Sequence, residues 1–188
     1  MANKKSRSEG LKMKKSFAFF LFLALFLLSN PTFTQNISKY FSSSIQDSGT
    51  LYFIEPPAEF SNKSDRAKLV FDLTYLTNQD SVVLNFSLFK QELVAVNYLQ
   101  FLSEDEKQIQ SPVKKIFIDS KKNKWHHRYS AKFSFKDLKQ LFHQKQKASI
   151  LISLSQSEIP LQIKKNKWKK NTAILSKIFT LIEANKPN

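Results

Sequence analysis

Two lysine runs, each ending in a tryptophan, are where the residue types of this chain could do chemistry. KKNKW occurs at Lys121–Trp125 and again at Lys164–Trp168, the first followed by His126, His127 and Arg128, the second by Lys169 and Lys170. Ammonium groups at this density neutralise anions and release their counterions, while an indole can stack on a ring or sit at a headgroup boundary. The candidate contacts for an anionic partner are therefore Lys121, Lys122, Lys124, Trp125, Arg128, Lys164, Lys165, Lys167, Trp168, Lys169 and Lys170. The plainer alternative is a pair of solvated lysine-rich turns whose tryptophans fold back onto the edge of the fold.

Other chemistry has weaker signals. His126, His127 and His143 are the only histidines and cysteine is absent. Neighbouring strand residues point to opposite faces, so His126 and His127 cannot share a metal, and no thiolate can complete a zinc site; no metal is expected. Glu104-Asp105-Glu106 lacks the DxDxDG spacing of a calcium loop. Gly10 and Gly49 are the only glycines, which excludes a glycine-rich phosphate loop and a GxSxG nucleophile elbow. No cofactor and no enzymatic activity are expected. A small secreted hydrolase is the third reading, and it requires carboxylates or a Ser-His pair converging in a pocket.

Residues 1–34 read as a signal peptide. Phe17–Leu28 is an uncharged apolar run of twelve residues, preceded by Lys12, Lys14 and Lys15 and followed by Ser29-Asn30-Pro31. As a helix it reaches about 18 Å, short of the roughly 30 Å hydrocarbon core, so cleavage after Thr34 is expected before a stable span. An uncleaved membrane anchor is the alternative, because no charge occurs between Lys15 and Lys39. The chain is thus expected to be exported, periplasmic or secreted. A thiol-free exported domain rests on its core alone, and 154 residues after Thr34 suffice for one.

The 188-residue chain carries 30 Lys+Arg against 15 Asp+Glu; beyond Thr34 there are 24 basic and 14 acidic residues, a balance of +10. Such a balance favours an anionic glycan or lipid headgroup, and an unidentified envelope protein is the other expected partner; nucleic acid is not an expected partner of an exported chain. Lysine that only maintains solubility is the competing explanation.

Residues 35–49 are polar and Ser-rich and read as a leader ahead of a single β-rich domain spanning 50–188. Thr50–Ile54, Ala67–Leu76, Ser81–Phe89, Glu92–Leu102, Val113–Asp119, Trp125–Phe135 and Ala148–Ser155 have strand character, mostly alternating, with Pro160–Ile163 as a last edge strand. Leu138, Leu141 and Phe142 follow helical spacing within 136–145, capped by Ser134 or Asp137. A helical tail is expected from about 172 with Asn171 as its N-cap. The fold class is mainly β: an antiparallel β-sandwich or curved sheet of about seven or eight strands, with one short crossover helix and a C-terminal helix.

These features point to a non-enzymatic envelope binding or interaction protein that engages its partner through loops or a sheet edge. The alternative is a basic adhesion module that holds anionic surfaces or polyanions through the two KKNKW segments.

Overall fold

A computed structural model describes residues 36–104, 108–121, 123–144 and 146–186. The signal expected at 1–34 lies outside the described residues, as do Asp105, Glu106 and Lys122. Among the described residues no helix is long and apolar enough to cross a membrane.

The protein is mainly β. Ten antiparallel strands run β1 Phe41–Gln46, β2 Gly49–Ile54, β3 Glu59–Asn62, β4 Ala67–Leu76, β5 Ser81–Lys90, β6 Val96–Ser103, β7 Gln108–Lys121, β8 Lys124–Ser134, β9 Ala148–Leu154 and β10 Glu158–Leu161. Helix α1, Phe135–His143, leaves β8, and helix α2 spans Lys165–Ala184. The sheet order is β1-β2-β4-β5-β8-β7-β6-β9-β10, with β3 alongside β4. A single continuous sheet is present where a sandwich was one of the two expectations.

The alternation in β4 decides which face goes inward: Ala67, Leu69, Phe71, Leu73 and Tyr75 are buried, and on β5 Val82, Leu84, Phe86 and Leu88 join them. A register slip of one residue would turn this whole set to solvent, so burial pins the pairing. Phe71 pairs with Phe86 in the ladder. Gly49 closes the β1–β2 hairpin at φ 125°, where a Cβ would sit 2.6 Å from Thr77 Oγ1. Only glycine fits there.

The curl of the sheet comes from β7 and β3. Residues 108–112 of β7 pair with β6, whereas 113–121 pair with β8, so the strand changes partner at Pro112. A proline inside a strand is tolerated at such a handover, since one ladder ends where the other begins. Its strand starts five residues earlier than the expected Val113. On the far side, β2 takes the Leu73–Leu76 half of β4 and β3 takes the Ala67–Val70 half. On the free side of β3, its Ser61 N–H donates to Gln162 O at 2.9 Å and Gln162 N–H donates to Ser61 O at 3.0 Å. The two ends of the sheet meet at this bridge without a continuous ladder, so the sheet is strongly curved and open.

Both helices bury apolar stripes against the concave face. Asp137 N–H donates to Ser134 Oγ at 3.3 Å, the cap expected from sequence. Helix α2 begins at Lys165, seven residues before the expected start near 172, because Trp168 is an anchor: its ring is 2% exposed and lies 6.2 Å from Phe60 and 6.0 Å from Phe142. Lys139 pairs with Glu183, tying α1 to α2 at the other end and lowering the Glu183 carboxyl below its usual pKa. Residues 41–46, read as part of a polar leader, form the edge strand β1, held by backbone pairing to β2 where hydrophobic alternation gave no signal.

Asn171, expected as an N-cap, is instead fully buried within α2, and neither its Oδ1 nor its Nδ2 has a partner among the described residues. An orphaned buried amide is destabilising by about 1–3 kcal/mol. Asn171→Leu, which keeps the branching of the side chain, is therefore expected to raise stability by about 1–2 kcal/mol, read as a higher Tm in thermal unfolding followed by circular dichroism.

Candidate anion-binding cleft

The second KKNKW segment opens a helix. Lys164 is the N-cap residue of α2 but makes no side-chain cap, and the first turn holds no acid. The unpaired N–H groups and aligned peptide dipoles make a helix N-terminus electropositive. Five lysines, Lys164, Lys165, Lys167, Lys169 and Lys170, add to that potential. The first two turns hold no acid, and Asn166 Oδ1 accepts from Lys167 N–H at 2.8 Å, so this helix end attracts anions.

Helical spacing sorts these lysines. Lys165, Trp168 and Lys169 line a cleft of about 610 Å³ between α2 and the end of α1, shared with His143, Gln144, Gln146 and Lys147. Lys164, Lys167 and Lys170 are exposed and do not line it. Phe142 and Trp168 are buried beneath the opening. Trp168 Nε1–H donates to Gln146 O at 2.7 Å, which fixes the indole and the 144–147 connection together.

Polar side chains reach the cleft from three segments. Lys147 Nζ donates to Gln162 Oε1 at 2.9 Å, while the ammonium groups of Lys165 and Lys169 have no hydrogen-bond or ion-pair partner among the described residues. His143 Nδ1 lies 2.8 Å from Lys139 O, so Nδ1 carries the proton and Nε2 faces outward. Glu104 is the one carboxylate on the lining among the described residues. The arrangement can hold a multiply charged anion in water-accessible space over an apolar floor.

The first KKNKW segment is a different object. Lys121 pairs with Lys124 across the β7–β8 hairpin, and Asn123 takes the positive φ of 59° that the tight turn needs. Trp125 is half-buried opposite Lys90 and Ser120. Arg128 is engaged on the sheet, paired with Asp72 and donating from Nη1 to Ser87 Oγ at 3.2 Å. Trp125 stands at one end of β8, whereas α1, against which Trp168 packs, leaves the other end. The two segments therefore do not form one patch. The alternative reading of tryptophans folded back onto the protein describes Trp168 well, yet its neighbouring lysines still line an opening.

The histidines go to three separate places. His126 stacks on Phe89 at 4.6 Å on the outer face. His127 is fully buried on the inner face, where Val94 N–H donates to its Nε2 at 3.1 Å and its Nδ1 donates to Leu88 O at 3.3 Å. Burial lowers the His127 pKa below 6.5, and the positive charges of His126 and Lys90 act in the same direction. Among the described residues no group of three or more His, Asp or Glu is placed to hold a metal ion.

Sequence reasoning named Lys165, Trp168 and Lys169 but missed Lys147 and His143, which carry no local motif. No known family model, curated protein or solved structure matches this chain.

Proposed function

We propose that the chain is an exported, non-enzymatic binding protein of the cell envelope whose α1–α2 cleft holds an anionic group of a glycan, a lipid headgroup or an acidic protein. One observation carries this reading: Lys147, Lys165, Lys169 and His143 converge on a single opening above Trp168. Such a site uses charge for attraction and its apolar floor for whatever adjoins the anion. The export part rests on the basic, apolar and polar blocks before Gln35, and N-terminal sequencing of the mature protein is expected to begin near that residue.

The binding part is tested with inorganic polyphosphate as probe. In a Trp125→Phe background Trp168 is the remaining indole of two, so its fluorescence reports the cleft. Polyphosphate is expected to change that emission, and the response should weaken as salt rises. Lys165→Glu with Lys169→Glu should weaken binding by at least about tenfold, roughly 1.4 kcal/mol. Lys124→Glu, on the distant hairpin, should leave the Trp168 response unchanged. Equal loss from both changes would instead favour diffuse adhesion through the whole basic surface.

A further inference from the structure

The sheet has one unguarded edge, and it is electrically unlike the rest of the protein. From Tyr40 to Asn62 there is no Lys or Arg, while Asp47, Glu55 and Glu59 are acidic, on a chain of net charge +15. This stretch contains β1, whose six residues are uncharged, and pair with β2 without a bulge or proline. Natural sheet edges carry such protections against pairing with other chains. The open half of β7 has them, with Lys114, Lys115 and a register shift between Lys115 and Phe117. β1 has none, and its Ile45 is 89% exposed.

The backbone of β1 sets the register that a new strand would take. Glu55 N–H donates to Tyr40 O at 2.8 Å, so hydrogen-bonded pairs with β2 fall at alternate residues: Ser42, Ser44 and Gln46. Phe41, Ser43 and Ile45 therefore direct their N–H and C=O groups away from β2. An antiparallel partner that meets all of these groups must oppose Phe41, Ser43 and Ile45 in reverse order. β1 itself satisfies this. With Ser43 facing Ser43 of a second copy, Phe41 of each copy lies across from Ile45 of the other, two apolar pairs flanking a small polar one. Phe41 and Ile45 share the face of Ile54 and Thr50, their partners in β2, so the two sheets continue with their concave sides aligned. Lys39 precedes the strand and Asp47 follows it, so reversal brings the base at one end toward the acid at the other.

We infer that β1 is a homodimerisation edge, joining two copies of this chain through a two-fold antiparallel β1–β1 pair centred on Ser43. Elsewhere the excess of lysine makes copies repel; this neutral edge is where they meet. The contact is isologous, each residue set serving both sides. A six-residue strand pair is a small interface, and dimerisation is accordingly concentration-dependent.

The test is sedimentation velocity of the purified full-length protein across a concentration series, with folding checked by circular dichroism. Wild type is expected to shift toward twice the monomer mass as concentration rises. Ser43→Lys and Ser43→Glu, each opposing a like charge at the axis, should each raise the dimer dissociation constant by at least about tenfold. Mixing the two should restore assembly, because Lys then faces Glu. Lys165→Glu with Lys169→Glu in the cleft should leave it unchanged. A wild type that stays monomeric at the highest soluble concentration, or assembly that both Ser43 variants retain, overturns the inference.

Discussion

Phe142→Ala is expected to destabilise the protein by about 3–5 kcal/mol, the largest effect of any single change considered. Its ring, 1% exposed, lies within 6.5 Å of the rings of Phe71, Phe101, Trp168 and Phe179, which come from β4, β6 and the buried stripe of α2. Truncation leaves a cavity at the point where the sheet and both helices meet, and a core this rigid relaxes only partly. Domains of this size have about 5–15 kcal/mol in total, so roughly a fifth or more of the stability goes. Denaturant unfolding should show the midpoint falling with little change in slope. Because the same ring floors the cleft, the folded fraction of this variant should also bind polyphosphate more weakly. Phe142→Leu, which keeps most of the volume, should retain both properties in large part.

The second expected result concerns acid. His127 is neutral in the folded state because its Nε2 must accept the Val94 N–H, and a proton there would break that bond and place a charge in the core. Its charged neighbours discourage protonation as well: His126 is adjacent, and Lys90 on β5 is buried and paired with Glu92. The unfolded chain titrates near 6.5, and the folded chain only lower. Stability is therefore full above about 6.5 and falls as pH drops from there toward the folded value, by about 1.4 kcal/mol for each pH unit of that window. Chemical unfolding at a series of pH values between about 7 and 5 checks the slope. His127→Gln, which keeps a donor and an acceptor but cannot ionise, should flatten it. Amide exchange at Val94 should quicken first, since its acceptor is the one lost.

How much of this could be read from residues alone varies by element, for physical reasons. Ala67–Leu76 and Ser81–Phe89 were legible to within a residue, because one buried face and one wet face leave a period of two in the sequence. Helix α1 was legible through Leu138, Leu141 and Phe142 and its serine cap. β1 and β3 were not, being short and polar; β1 is held by backbone pairing to β2 and by Phe41 packing on Tyr52, and β3 was missed because its Ser61-Asn62 reads as turn chemistry. The early start of α2 was hidden by a lysine run that resembles a solvated turn. Only the socket formed by Phe60 and Phe142, distant in sequence, makes a helix of it. The same applies to the cleft: Lys165, Trp168 and Lys169 share a motif, whereas Lys147 and His143 are brought in by the β8–α1–β9 connection.

The bridge between Ser61 and Gln162 has a consequence for the order of events when the polypeptide is made and delivered. Strands β4, β5 and β8 can zip together once residue 134 has emerged, but the seat of Trp168 and the meeting of the sheet's two ends wait for the last quarter of the chain. Until then the aromatic interior, Phe60, Phe71, Phe101 and Phe142 among it, has no cover. Long-range closures of this kind are slow to find. On the export reading proposed above, a chain threaded outward amino end first would travel unclosed and become compact only after its carboxyl segment had followed, which is the state in which a translocation channel can carry it.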